Sequence, residues 1–254
     1  MSGALVHTSE SDGIGRITLD HPPLNILTRA VLGEFRGGLE RLRGDTTLRV
    51  IIVDAAGKHF SAGADVGEHV PPECDEMIPE FVATIRALYE FPTPTIVAVH
   101  GKCLGGGCEL ALAGDLVVAT DAAVFGQPEI LLGVLPPAAC ALLPGRVPAA
   151  VAAELVLTGD PMTAPDLHRA GLVNRVVPPD DLEAAALALA RRIARHSAAS
   201  VRAGKRMLHS GVDDRGAALE RAGQLYLNDL MQTDDAREGL RAFLEKRAPA
   251  WSHR

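Results

Sequence analysis

The sequence predicts an α/β core followed by a helical extension, and three observations carry that prediction. Short apolar runs rich in β-branched residues recur at "VIIVD" (50–54), "TIVAV" (95–99) and "LVVAT" (116–120), the pattern of strands covered on both faces. Segments of helical pattern lie between them, at about 75–90 and 106–114, and a strand–helix–strand succession argues for an α/β layer. Beyond Val177 no strand pattern returns and the chain reads as helices. The predicted division is an α/β unit over 1–178 and a helical region over 179–254.

Each element has its own signal. "ALVHTSE" and "IGRITLD" flank Asp12-Gly13, a pair suited to a tight hairpin turn. Thr28 stands where a helix would be capped, with Val31, Phe35, Leu39 and Leu42 on one face. "KHFSAGADVGEH" (58–69) follows the strand at 50–54 and reads as a loop of small residues. In the last third, "PPDDLEAAALALARRIARH" (178–196) opens on Asp180 and Asp181 and closes on Arg191, Arg192 and Arg195, charges that suit the two ends of a helix dipole. "SAASVRAGKRML" and "DRGAALERAGQLYLNDLM" read as helices too. "TDDAREGLRAFLEKRAP" has Thr233 as its cap and places Lys246 and Arg247 in its last turn. No internal repeat or low-complexity segment is present.

Composition narrows the function classes. The 254 residues are 47% hydrophobic and 22% charged, with a net charge of -7 and no block of Lys or Arg, so a nucleic-acid footprint is not expected. Cys74, Cys103, Cys108 and Cys140 form no CxxC pair, and reduced thiols are expected rather than a disulfide framework or zinc site. His21, His59, His69, His100 and His196 lack HExxH or i,i+4 spacing and read as loop or surface residues, so no metal site is expected. "MSGALVHTSESDG" has neither the basic nor the apolar region of a secretory signal. Apolar runs are broken by Lys102, Glu109 and Asp115, too short to span a bilayer. A cytoplasmic protein without a membrane partner is the expectation.

The stretch "HGKCLGGGCELALAGD" (100–115) places Gly105, Gly106 and Gly107 at the mouth of an apolar helix, with Glu109 just inside it. Glycine costs roughly 1 kcal/mol per residue within a helix, so the backbone itself is wanted there. A helix N-terminus offers unpaired N–H groups and a positive dipole end, fit for a phosphate or a developing oxyanion; close packing on a sheet would also use such glycines. The spacing matches neither GxGxxG nor a P-loop. A carboxylate buried in the first turn of an apolar helix is costly without a purpose. In "FGQPEILLG", Glu129 follows Pro128 in a similarly apolar setting, where a plain helix-start acid is the simpler reading.

These stretches together, in their order and spacing, resemble the crotonase, or enoyl-CoA hydratase/isomerase, superfamily. The resemblance runs from "RITLDHPPLNIL" through "FSAGAD", "GKCLGGGCELALAGD" and "FGQPEILLG" to "FLEKR". It implies a spiral of ββα units and an oxyanion hole made by the N–H groups of Ala64 and Gly106. It implies Glu109 and Glu129 as the two catalytic carboxylates, Glu109 activating water and Glu129 delivering a proton to the α-carbon. It also implies contacts to substrate or coenzyme A from Pro23, Leu24, Ala62, Asp65, Val66, Gly105, Pro128, Pro136, Phe243 and Lys246. Coenzyme A would arrive as part of the acyl thioester, with no tightly bound cofactor.

By the same resemblance the chain would form a homotrimer or a hexamer, its final helix meeting a neighbour's coenzyme A. "LPPAACALLP" departs from the glycine-rich "PGAGG" of many hydratases, placing Pro136, Pro137 and Ala138 near the acyl pocket. With "HPPLNIL" this most resembles hydratases of cyclic dienoyl-CoA thioesters, such as cyclohexa-1,5-diene-1-carbonyl-CoA. A hydratase of another enoyl-CoA, an isomerase or other crotonase-type reaction, and a non-catalytic acyl-CoA binder are the alternatives. Retention of both glutamates favours hydration.

Overall fold

The computed structural model describes residues 3–210 and 215–252. Asp12 and Gly13 take the left-handed φ values, 56° and 73°, that a tight turn needs. They join β1 (Val6–Ser11) to β2 (Ile14–Leu19) in antiparallel register, Val6 opposite Leu19. The Thr28 hydroxyl accepts the N–H of Val31 at 3.3 Å and starts α1 (Arg29–Arg43), which buries Val31, Phe35, Leu39 and Leu42. Next come β3 (Val50–Ala55), a 3-10 segment (Val66–His69) and α2 (Cys74–Tyr89). Then β4 (Thr95–Val99), β5 (Lys102–Leu104), α3 (Gly106–Ala113), β6 (Leu116–Thr120) and β7 (Val124–Gly126) follow. A second 3-10 segment (Pro128–Leu132) precedes α4 (Pro137–Leu142), α5 (Ala149–Thr158), β8 (Met162–Thr163), α6 (Ala164–Arg169) and β9 (Arg175–Val177). The described chain continues with α7 (Leu182–Ala194), α8 (Ala198–Ser210), α9 (Arg215–Asn228) and α10 (Asp234–Leu244).

The main sheet has the order β1-β2-β3-β4-β6-β9 and is parallel after the first hairpin. Each inner strand is followed by a short stretch in a second layer. Leu27 follows β2, Ser61 to Ala64 follow β3, β5 follows β4 and β7 follows β6. Parallel bridges join Leu27 to Ala64 and Ser61 to Cys103, and β5 pairs with β7, which pairs antiparallel with β8. The repeated step from strand to short strand to helix is the spiral of ββα units. It brings the ends of the second-layer stretches after β3, β4 and β6, and the starts of the segments that follow them, around one cavity.

The strand signals at 50–54, 95–99 and 116–120 reflect burial on both faces. Val50, Ile52, Ile96, Ala98 and Val118 face Ala186 and Ala190 of α7, while Ile51, Val53, Val97 and Val117 face the main core. The last strand ends at Val177, but α7 lies beyond the expected boundary at 178 and still closes the outer face of the sheet. Helices α4, α5 and α6 had no clear periodic signal, because "PAACAL" and "AAVAAELVLT" lack a polar face against which an apolar stripe stands out. The helix expected from Asp214 is described from Arg215, and Asp214 lies outside the described residues, as do Met1 and Ser2 of the N-terminal stretch. Lys246 and Arg247 are not in the last turn of α10. The helix ends at Leu244, Lys246 takes a left-handed φ of 54°, and Arg247 folds back onto Glu238 at 3.0 Å.

Helix α3 is buried along its whole length, so its two ends fix its position. At its C-terminal end the Arg146 guanidinium donates to the carbonyls of Leu112 (3.0 Å) and Gly114, where a cation complements the helix dipole. Asp115 follows at once. It accepts from the Thr95 N–H at 2.8 Å, pairs with the buried Lys205 ammonium at 2.7 Å and meets His209 at 2.9 Å. Burial alone would raise the Asp115 carboxyl, but His209, Lys205 and the Thr95 N–H outweigh it and hold the group at about 2.

Asp115→Asn is expected to destabilise the fold by about 3 kcal/mol, because it leaves the Lys205 ammonium buried without its counter-charge. Urea unfolding at pH 7 measures this. In the native protein the folded carboxyl binds its proton more weakly than the unfolded one. Its contribution is therefore complete above the usual aspartate range near pH 4 and is lost as pH falls toward about 2.

Candidate active site

The loop after β3 is held from below by Asn25, buried and left-handed at φ 51°, a conformation asparagine tolerates better than most residues. Its amide donates to the carbonyls of Ala56 and His59, each at 2.8 Å. The Ser61 hydroxyl donates to the Asn25 carbonyl at 2.7 Å and accepts the Gly63 N–H at 3.1 Å. Ala62 donates to Leu24 at 2.9 Å, and Gly63 accepts from Leu27 at 2.9 Å. This lattice uses the amides around Ala64 and leaves the Ala64 N–H without a partner among the described residues.

The three glycines of the opening motif are needed for different reasons. Gly105 turns the chain from β5 into α3 at φ 51°, and a Cβ there would stand 2.7 Å from Oε1 of Glu129. A Cβ at Gly107 would meet Ser61 at 2.6 Å, so its absence lets α3 rest on the loop. Gly106 is the first residue of α3, and its N–H is one of the donors that a helix leaves unpaired. A Cβ built on Gly106 would lie 3.2 Å from the Ala64 nitrogen. The two free amides are therefore neighbours across a gap that only glycine keeps open.

Two carboxyl groups share this space. Glu109, one turn into α3, is 2% exposed, and its Oε1 accepts the N–H groups of Ala138 at 2.7 Å and Ala139 at 2.9 Å. Those are the first donors of α4. Pro137 ahead of them has no N–H and a φ pre-set for a helix start. The Pro136-Pro137 pair, read in the sequence as pocket wall, thus begins the helix that grips Glu109. Burial pushes the Glu109 carboxyl up to about 7, with the Ala139 and Ala138 donors pulling the other way. Glu129 is the second residue of the 3-10 segment opened by Pro128. Its Oε2 is enclosed without a partner among the described residues. Burial, and then the charge of Glu109, push Glu129 well above the usual carboxylate range.

A cavity of about 70 Å³ joins these groups, walled by Met77, Ile78 and Phe81 of α2 and by Leu132, Val134 and Leu135. Of the residues anticipated from sequence, Ala62, Ala64, Val66, Gly105, Gly106, Glu109, Pro128 and Glu129 line it. Pro23, Leu24, Asp65, Pro136, Phe243 and Lys246 do not. Asp65 instead caps the Val66–His69 segment by accepting the Gly67 N–H at 2.7 Å, and Pro136 precedes α4 as its cap. Phe243 is 53% exposed, and Lys246 is exposed beyond the end of α10. Helix α10 rests on both of these 3-10 segments of its own chain. Pro137 and His69 line the cavity as well. His69, set aside in the sequence for want of metal spacing, enters by fold alone. No cluster that could hold a metal ion occurs among the described residues.

Two adjacent N–H donors at a helix start can stabilise an oxyanion. Two carboxyl groups held at different protonation can divide the roles of acid and base. Fold and site therefore describe an α/β spiral protein whose main-chain amides and carboxylates converge on one enclosed cavity. The profile of the enoyl-CoA hydratase/isomerase family matches residues 9–254, and the chain belongs to that family. It is 42% identical over 248 residues to a cyclohexa-1,5-dienecarbonyl-CoA hydratase of Thauera aromatica, covering 96% of this chain and 95% of the relative. The crystal structure of carnitinyl-CoA hydratase from Mycobacterium avium superposes with a TM-score of 0.86 at 37% identity over the full length of both chains. That of an enoyl-CoA hydratase/isomerase from Pseudoalteromonas atlantica gives 0.89 at 30% identity, covering 98% of this chain and 100% of that one.

A raised folded-state pKa means that the native protein binds the proton more tightly than the unfolded chain. Glu109 therefore costs stability as pH rises from its usual range near 4.5 through about 7. Glu109→Gln keeps the oxygen that accepts from Ala138 and Ala139 and removes the buried charge. It is expected to be more stable than the parent at pH 8 by about 1–3 kcal/mol, with the gap closing at pH 5, as read by urea unfolding at both values.

Proposed function

We propose that the protein adds water to the conjugated double bond of an enoyl-CoA thioester. The observation that carries this reading is the convergence of the free Ala64 and Gly106 amides with Glu109 and Glu129 on one cavity. In this reading the thioester oxygen sits between the two amides, which stabilise the negative charge that reaches it as water attacks the β-carbon. Glu109, with a substantial ionised fraction at neutral pH, accepts the water proton as the new C–O bond forms. Glu129, kept protonated, donates to the α-carbon, so that H and OH are both delivered and the carboxyls exchange protonation. A free proton exchange with solvent resets the pair.

Presence of both acids favours hydration over isomerisation, which needs one group to move one proton. The acyl group in this reading is short or cyclic. The cavity is small, Pro137 stiffens its wall, and the similarity to the Thauera aromatica hydratase points the same way. Coenzyme A enters as part of the substrate, without a tightly bound cofactor. A cytoplasmic location belongs to the same proposal; no described helix is long and apolar enough to cross a membrane. Self-association as a trimer or hexamer belongs to the same reading. Phe243 and Lys246 remain open to a coenzyme A held by another copy.

Glu129→Gln and Glu109→Gln are each expected to lower turnover of the preferred enoyl-CoA by about 100-fold or more, with binding of the saturated acyl-CoA retained. Loss of absorbance at the conjugated thioester measures the rate, and near-native turnover in either variant removes that residue from the reaction. Across crotonyl-CoA, a long-chain 2-enoyl-CoA and a cyclic dienoyl-CoA, the cyclic ester should lead the long one in kcat/KM by about 100-fold, or about 2.7 kcal/mol of transition-state binding. A lead for the long-chain ester removes the cyclic reading and leaves hydration standing.

A further inference from the structure

Beyond α10 the chain, over residues 247–252, folds back along the helix and is tied to it by two carboxylates. Glu238 is buried at 8% exposure. Its Oε1 accepts from Arg247 Nη1 at 2.5 Å and from the Ala250 N–H at 3.0 Å, and its Oε2 accepts from Arg247 Nη2 at 3.0 Å. A two-pronged guanidinium–carboxylate pair fixes orientation as well as distance. Asp235, three residues earlier and so on the same helix face, accepts the Ser252 N–H at 2.6 Å and the Ser252 hydroxyl at 2.9 Å. The chain is thus held on either side of Trp251.

The indole between these ties lies against two glycines. A Cβ at Gly133 would stand 3.1 Å from its Cζ3, and one at Gly239 would stand 3.0 Å from its Cη2. Gly133 ends the Pro128–Leu132 segment with a left-handed φ of 71°. Its N–H donates to the Ile130 carbonyl at 3.1 Å, and the Val134 N–H donates to the Glu129 carbonyl at 3.2 Å. These two bonds close the turn that carries Glu129 and leads into Val134 and Leu135 of the cavity wall. The two site carboxyls are therefore placed by different means. Glu109 is gripped directly by the Ala138 and Ala139 amides. Glu129 Oε2 has no such partner among the described residues, so its position depends on the backbone that bears it.

We infer that Trp251 is a positioning residue of the active site: tied down by Glu238 and Asp235, it presses on Gly133 and holds the Glu129 turn where its carboxyl reaches the α-carbon. The inference rests on the hydration reading above and deepens it. Trp251 does not line the cavity, so it acts through the Glu129 turn and not by touching substrate. A shift of about 1 Å caused by a substitution away from the chemistry can cost about 100-fold in rate. Such a loss falls on kcat and kcat/KM together, because it removes an interaction made only in the transition state.

The test compares the native full chain with Trp251→Ala, Trp251→Phe and Glu238→Gln. Trp251→Ala removes the indole and leaves the hydrogen bonds of Arg247, Ala250 and Ser252 in place. On the enoyl-CoA that the native protein turns over fastest, its kcat should fall about tenfold or more. KM, and the calorimetric affinity for butyryl-CoA, should change by less than about twofold. Trp251→Phe, which keeps a ring over Gly133, should recover most of the lost kcat, and Glu238→Gln should show the same split more weakly. Amide hydrogen exchange supplies a readout without turnover. The Val134 amide should exchange about tenfold faster or more in Trp251→Ala, with the amides of α3 unchanged. Native kcat in Trp251→Ala, a loss shared equally by binding, no recovery with Phe, or unchanged exchange at Val134 overturns the inference. A native protein that hydrates no enoyl-CoA, while Val134 exchange still quickens in Trp251→Ala, sinks the hydratase reading and upholds the brace.

Discussion

The pair of hydrogen bonds from Ala138 and Ala139 to the Glu109 carboxylate is the constraint on which the site depends. A carboxylate this deeply buried needs donors that are fixed before any ligand arrives, and the start of α4 supplies two of them. The bond joins α3 to α4 at the cavity. Helix α4 in turn supports α9. At the far end of α3, Arg146 and the Asp115–Lys205 pair fix the same helix to the rim of the sheet. Helix α3 is thus clamped at both ends, and its first amide is set by the positions of two buried networks rather than by any cap of its own.

Polar groups without partners are uncommon in a protein interior; some, such as Thr93 Oγ1, lie elsewhere in the molecule, but three meet at one cavity. Ala64, Gly106 and Glu129 line it, with both amides and Oε2 of Glu129 lacking partners among the described residues. Each is destabilising when considered alone. The apolar core around them, with Phe35, Phe60, Phe91 and Phe125 fully enclosed, supplies the stability that lets them persist. Such a concentration of locally unfavourable choices is the pattern expected where a fold gives up stability for chemistry.

Much of this was legible in the chain, and the limits were physical. Strands β3, β4 and β6 were readable because burial on both faces leaves uninterrupted β-branched runs. The Asp12-Gly13 turn and the Thr28 cap were readable because local backbone demands select few residues. Gly105, Gly106, Glu109 and Glu129 stood out by chemistry at odds with their surroundings. Hidden were the contacts made by the main chain across long separations. Nothing in "PPAA" marks Ala138 and Ala139 as donors to a residue some thirty positions earlier, since their side chains take no part. His69 was silent for a related reason: a histidine in a loop is ordinary until the spiral brings it to the cavity. The end of α10 was misread because its charges suit a last helical turn, while a left-handed backbone at Lys246 stops the helix before them.

The packing of α10 onto the segment that bears Glu129 has a consequence for the order in which the molecule matures. Gly239 lies so close to the Leu132 carbonyl that a Cβ would approach it at 2.0 Å, and Trp251 packs against Gly133. These bracing residues leave the ribosome long after the sheet, the glycine turn and Glu109 have been synthesised. A nascent chain can therefore assemble the amide pair and one carboxyl before the loop carrying the other has its support. Bracing of the Glu129 loop therefore waits for the last residues of the chain to be made.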